Sequence, residues 1–177
     1  MALKIDRATN KLVGHDNFAQ VEPNHLSAPR DGGVYGQLPA DDSIEILEQG
    51  TFVKYDYAAG KVNFTGAGPW MMVFNEEKLY DERKQMHRDY AMQKGEFYDG
   101  VMVPRVFRMA AGDIFTPNAV KTDTYTVGDK VAPGATGILE KDAATAAETA
   151  KTLVLQVVKE TTMPDGQPAV KLQVIHE

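Results

Sequence analysis

The chain has 177 residues, a formal net charge of −6 and no cysteine. That length fits one domain with an appendage, and it suffices for a core built without metal or disulfides. The missing thiols exclude disulfide frameworks, thiolate metal sites and thiol nucleophiles; an acidic balance without a basic tract argues against nucleic acid as the main partner. No stretch approaches the roughly 18 consecutive apolar residues of a membrane span. The start, Met1 to Arg7, has no apolar run after its charges, so no secretory signal is expected.

Residues 1–43 form the first unit and read as an extended N-terminal arm. They carry three prolines (Pro23, Pro29, Pro39) and the glycines Gly32, Gly33 and Gly36. Apolar residues, among them Phe18, Val21, Leu26, Val34, Tyr35 and Leu38, follow no helix or strand period. Each X-Pro step biases the residue before it toward extended backbone. Such a segment gains order by laying spaced side chains into another surface. The alternative is that it wraps its own domain and adds an edge strand.

Residues 44–177 form the second unit, a β-rich body of short apolar runs between Gly, Pro, Asp and Asn. Strands are expected at 44–47, 51–57 and 61–65, with a hairpin turn at Ala58-Ala59-Gly60. Phe52 and Val53 do not alternate cleanly, so the register there stays open. A buried strand is expected over 70–74. Residues 75–94 read as a helical, highly charged insertion capped by Asn75, with a thin apolar face of Leu79, Met86 and Tyr90.

Strands resume at 101–103, 105–109, 114–115, 125–127, 130–131 and 138–139. Two of them follow Gly-Asp pairs, Gly112-Asp113 and Gly128-Asp129, in which Asp caps the turn with its own side chain. The stretch 142–151 is open between short helix and loop. Residues 153–158 and 169–175 flank Met163-Pro164-Asp165-Gly166, a hairpin with Val170, Leu172 and Val174 on one face. Twelve of the fifteen aromatics lie from Phe52 to Phe115, which centres the expected core on the middle of the chain. Six methionines from Met71 to Met109 read first as core filler, second as a pliable contact surface. The fold class is therefore mainly β, a small barrel or sandwich with one short helix or charged insertion.

Few residues carry chemistry. His87-Arg88-Asp89 resembles a kinase catalytic triplet, but the Asn required five residues later is Lys94, and no Gly-rich loop accompanies it. Gly66-Ala67-Gly68-Pro69 lacks the Gly-Lys-Ser/Thr of a phosphate cradle, and Pro removes a donor, so it reads as a structural turn. The histidines His15, His25, His87 and His176 are far apart. Asp41-Asp42 and Asp81-Glu82 read as exposed carboxylates before they read as a cation site. Ser27 and Ser43 are the only serines, and no nucleophile elbow surrounds either. No catalytic residue, cofactor or metal is expected.

The Gly-Asp strand starts, the Pro-Asp-Gly hairpin and the arm together resemble the auxiliary capsid proteins of tailed bacteriophage heads, also called decoration or cement proteins. Val127 to Val131, Gly137 to Leu139 and Leu155 to Ile175 carry the similarity. The resemblance implies a non-catalytic virion protein, made in the host cytoplasm and seated on the capsid surface. It implies the major capsid protein as partner, with self-association around capsomer axes, and neither nucleic acid nor membrane. In that role Phe18, Val21, Leu26, Tyr35 and Leu38 of the arm anchor in shell pockets, and Arg30 pairs with shell carboxylates. Two other classes stay open. One is an internal head protein or head-fibre base. The other is a small β-barrel ligand-binding or enzymatic domain, which needs polar groups converging on a pocket.

Overall fold

The computed structural model describes residues 3–5, 18–75 and 91–177. In chain order its strands are β1 (Leu3–Ile5), β2 (Val21–His25), β3 (Val34–Tyr35), β4 (Ile46–Glu48), β5 (Phe52–Asp56), β6 (Lys61–Asn63) and β7 (Trp70–Val73). They continue with β8 (Ala91–Gln93), β9 (Val106–Arg108), β10 (Ile114–Pro117), β11 (Asp123–Tyr125) and β12 (Lys130–Pro133). The last are β13 (Leu139–Glu140), β14 (Val154–Thr162) and β15 (Pro168–His176). Two helices join them: the single turn α1 (Ala28–Asp31) and α2 (Asp142–Ala150), which resolves the open stretch as helix.

The chain is mainly β, as its turn-punctuated apolar runs predict. A six-stranded antiparallel sheet has the order β13-β12-β14-β15-β10-β2, and a five-stranded one β3-β9-β7-β5-β6. Two small sheets, β1-β11 and β4-β8, lie beside them. Neither large sheet closes on itself among the described residues.

The five-stranded sheet has a core on each side. Along β5 and β7, Phe52 and Met72 join the cluster against the six-stranded sheet, with Phe115, Leu155, Leu172 and Val174. Val53, Met71 and Val73 point the other way, into a second cluster with Leu47, Met92, Met102 and Val106. Successive strand residues face opposite sides, so a strand buried on both faces reads as an unbroken apolar run. That is why Phe52 and Val53 show no alternation. The second core is covered by the β4–β8 pair and by residues from 38–44 and 97–102. The methionines follow the default reading: Met71, Met72, Met92, Met102 and Met109 are all buried.

Both Gly-Asp turns use one device. The Asp113 carboxylate accepts from the Ala110 amide at 2.9 Å while the Asp113 amide donates to Ala110 O. Asp129 and Thr126 repeat this pair of bonds. The C-terminal hairpin forms around Met163–Gly166, with strands of nine residues each, longer than the apolar runs alone indicate.

Residues 18–43 are not a free arm. β2 pairs with β10, and β3 with β9. The Ala40 amide donates to Met102 O, the Asp41 amide to Val62 O, and the Val62 amide to Pro39 O. Ala19, Ala28 and Ala40 are buried with Val21, and these small residues let the backbone lie close to the body. The prolines favour extended geometry, and here that geometry serves as edge strand; Pro23 sits in β2 at the end of its sheet. Residues 6–17 lie outside the described residues. So do 76–90, most of the expected helix 75–94 with His87-Arg88-Asp89. The end of that expected helix is a strand: 91–93 form β8 against β4, with Ala91 and Met92 buried. The expected strand 101–103 is irregular chain, held by its bond to Ala40.

A charged cluster braces the β11–α2 end. Lys141 Nζ lies 3.1 Å from Asp129 Oδ2 and 5.3 Å from the centre of the Tyr125 ring. The buried Tyr125 donates its hydroxyl to Lys121 O at 2.6 Å. Burial first, then the carboxylates of Asp123 and Glu140, push the phenol well above its ordinary 10.0. The folded state therefore keeps a proton that the unfolded chain gives up, so this stabilisation is complete below about pH 10 and is lost above it. Thermal unfolding followed against pH is expected to show the wild type losing up to about 1.4 kcal/mol per pH unit more than Tyr125→Phe above that point. Parallel curves would show that the phenol is not held neutral.

Candidate docking surface

The structure separates the six residues predicted to contact a partner. Val21 is buried in the first core, Leu26 packs against that core, and Leu38 packs against the second. Val21 faces this chain's own interior, while Leu26 and Leu38 are half-buried. Phe18 is half-buried. Arg30 and Tyr35 are exposed. The Arg30 Nε donates to Asp31 Oδ1 at 3.0 Å, and this bond raises the Arg30 pKa and lowers that of Asp31. Both groups are fully in water, so the pair leaves Arg30 available to a competing carboxylate.

The segment carrying these residues is clipped down by Asp113. That carboxylate is buried; it accepts from the Ser27 amide at 2.8 Å and the Ser27 hydroxyl at 3.1 Å besides the Ala110 amide. A second clip holds the chain before β2. The Gln20 amide donates to Asn118 Oδ1 at 2.6 Å, and Gln20 Nε2 to Asp165 Oδ2 at 2.6 Å in the C-terminal hairpin turn. Ser27 thus donates both its amide and its hydroxyl to Asp113.

The roof over the second core turns apolar side chains outward. Ile46 lies beside buried Leu47, and Val101 and Val103 flank buried Met102. Tyr98, at the tip of the 97–100 turn, is fully exposed. Tyr35 at the sheet edge adds a further exposed ring. Of this set the sequence singles out Tyr35 alone, because an apolar run does not reveal which residues lack cover; the alternation of 101–103 around Met102 is the available signal for the others.

A cleft of about 360 Å³ opens where the end of the five-stranded sheet meets the C-terminal end of α2. Lys54, Trp70, Arg108, Lys151 and Glu177 line it. Lys54 and Trp70 are opposite each other in the β5–β7 register, and Lys54 Nζ lies 4.8 Å from the centre of the indole. Lys151 ends α2 in left-handed geometry, with φ 52°. A hollow of about 230 Å³ shares Arg108 and Glu177 with the cleft and runs on to Tyr35.

A Cβ at Gly66 would lie 2.5 Å from Tyr55 O, and the Gly68 amide already donates to that oxygen at 2.9 Å. The Gly-Ala-Gly-Pro turn is thus shaped for close approach to β5. Asp41 accepts from the Ser43 hydroxyl and amide, which lower its pKa, and Asp42 pairs with Lys61 at 2.8 Å. His25 and His176 are exposed, whereas His15, His87 and Asp81-Glu82 lie outside the described residues. Among the described residues no three His, Asp or Glu side chains are grouped to hold a metal ion, and no helix is long and apolar enough to cross a membrane. Set against protein-family models, curated proteins and solved structures, the chain matches none.

Proposed function

We propose that the chain is a structural protein of a phage head that binds the outside of the capsid and stabilises contacts between major capsid subunits, without catalysis. In this reading the six- and five-stranded sheets are a sandwich, and the roof of the second core faces the shell. The observation that carries it is the outward apolar set Ile46, Tyr98, Val101 and Val103 on the roof, with Tyr35 exposed at the edge of the five-stranded sheet. Aromatic anchors surrounded by smaller apolar groups are the kind of side chains that dominate interface energies. Arg30 stays a contact residue; Val21, Leu26 and Leu38 instead hold the docking segment rigid. The class of partner rests on the resemblance read from the Gly-Asp turns and the C-terminal hairpin.

The test is co-sedimentation with shells assembled from the major capsid protein encoded in the same genome. Wild-type chain is expected in the shell fraction. The triple variant Tyr35→Ala, Tyr98→Ala, Val103→Asp is expected to bind at least about tenfold more weakly, with unchanged thermal unfolding because all three side chains are exposed. Absence of the wild-type chain from the shell fraction would refute the proposal.

A further inference from the structure

The cleft around Trp70 has a charge that the rest of the molecule does not explain. The chain as a whole is acidic, at −6. Yet Lys54, Arg108 and Lys151 all line this one cleft against one acidic residue, Glu177. Among the described residues none of the three cations belongs to an ion pair, although Lys61, Lys94, Lys121, Lys130 and Lys141 each have a carboxylate partner there. Unpaired cations set together repel one another, and an arriving anion relieves that repulsion.

We propose that this cleft binds an extended, acidic peptide segment of a protein partner. Three features select that class. The cations are borne by three separate elements, β5, β9 and the end of α2, so they meet carboxylates spaced along a ligand better than one compact anion. The cleft continues through Arg108 into the hollow lined by Tyr35 and by Asp31, whose carboxylate is taken up by Arg30, so the site is elongated and not one compact socket. Trp70 and Met109 add apolar wall for side-chain stems. A nucleic acid strand needs a longer basic track, and the acidic remainder of the surface repels a polyanion that runs past the cleft. Tyr35 also belongs to the outward apolar set, so a shell subunit seated there can reach the cleft with an acidic loop. The identity of that partner rests on the function proposed above; the cleft's preference for acidic peptide does not.

Trp70 is the only tryptophan, so its fluorescence reports on the cleft directly. The probe is a blocked hexapeptide of alternating glutamate and alanine, titrated into the full chain. A saturable change in Trp70 emission is expected, weakened by salt as exposed charges are screened. It is expected to fall at least about tenfold in Arg108→Gln/Lys151→Gln. The same peptide with glutamine for glutamate is expected to give no change. The single variant Lys54→Gln, which removes the cation over the indole, is a second check should the double variant unfold below the wild-type temperature. Equal response to the glutamine peptide, or a stronger response to oligothymidylate of equal charge, would overturn the assignment. Wild-type co-sedimentation with shells alongside a silent titration would sink the cleft proposal alone. A positive titration without shell binding would sink the capsid reading and leave the cleft standing.

Discussion

Gly137→Ala is expected to destabilise the protein by about 2–5 kcal/mol, the sum of two separate costs. Gly137 has φ +74°, where a Cβ costs roughly 1–2 kcal/mol. That Cβ would also lie 2.0 Å from Phe52 O and 2.9 Å from the Phe64 ring. Relieving such an overlap by moving backbone costs about 1–3 kcal/mol more. The displaced group matters, because the Phe52 amide donates to Gly137 O at 2.8 Å and so ties the β12–β13 turn to the start of β5. Moving it parts the two large sheets where they meet. Gly60→Ala is the control: Gly60 has a similar φ, +65°, with nothing within 4 Å of its would-be Cβ. It is expected to lose only the same backbone cost of roughly 1–2 kcal/mol. Denaturant midpoints at unchanged m-value measure both. Equal losses at the two positions would show that the turn does not press on β5.

Phe115→Ala is the second large loss, at about 3–5 kcal/mol. Phe115 is wholly buried in β10, opposite Leu172 of β15. Its ring centre lies 6.1 Å from that of Phe52, across the gap between the sheets, at an interplanar angle of 51°. Truncation leaves a cavity that the rigid strands on either side cannot collapse to fill. For a chain of this size the midpoint of thermal unfolding is expected to drop by roughly 6–20 °C. Val127→Ala, at a site that is mostly exposed, is expected to stay within about 0.5 kcal/mol of wild type. A Phe115→Ala loss as small as that would mean the two sheets do not share this core.

What was legible in the sequence was local. The Gly-Asp turns announced themselves because Asp side chains bond amides three residues away, an interaction encoded within four residues. The C-terminal hairpin was legible because Pro164 and Gly166 set the turn and Val170, Leu172 and Val174 keep a strict alternation. Long-range partners were not legible. The arm read as free because its apolar residues follow no period, but edge segments that bury one alanine at a time need none. Ala19, Ala28 and Ala40 carried that information, and composition does not separate a buried alanine from an exposed one. Strand β8 was hidden in the same way, since three residues beside a charged stretch offer no period, and their pairing with β4 bridges more than forty positions. The candidate site was hardly legible at all. Lys54, Arg108 and Lys151 are spread over nearly a hundred residues, and only folding brings them to one cleft.

Electron cryomicroscopy of shells assembled with and without the chain tests the proposed function most directly. Added density is expected on the outer surface at junctions between capsid subunits, with the outward apolar set toward the shell. Difference maps with no added density, or with density on the inner face, would contradict it.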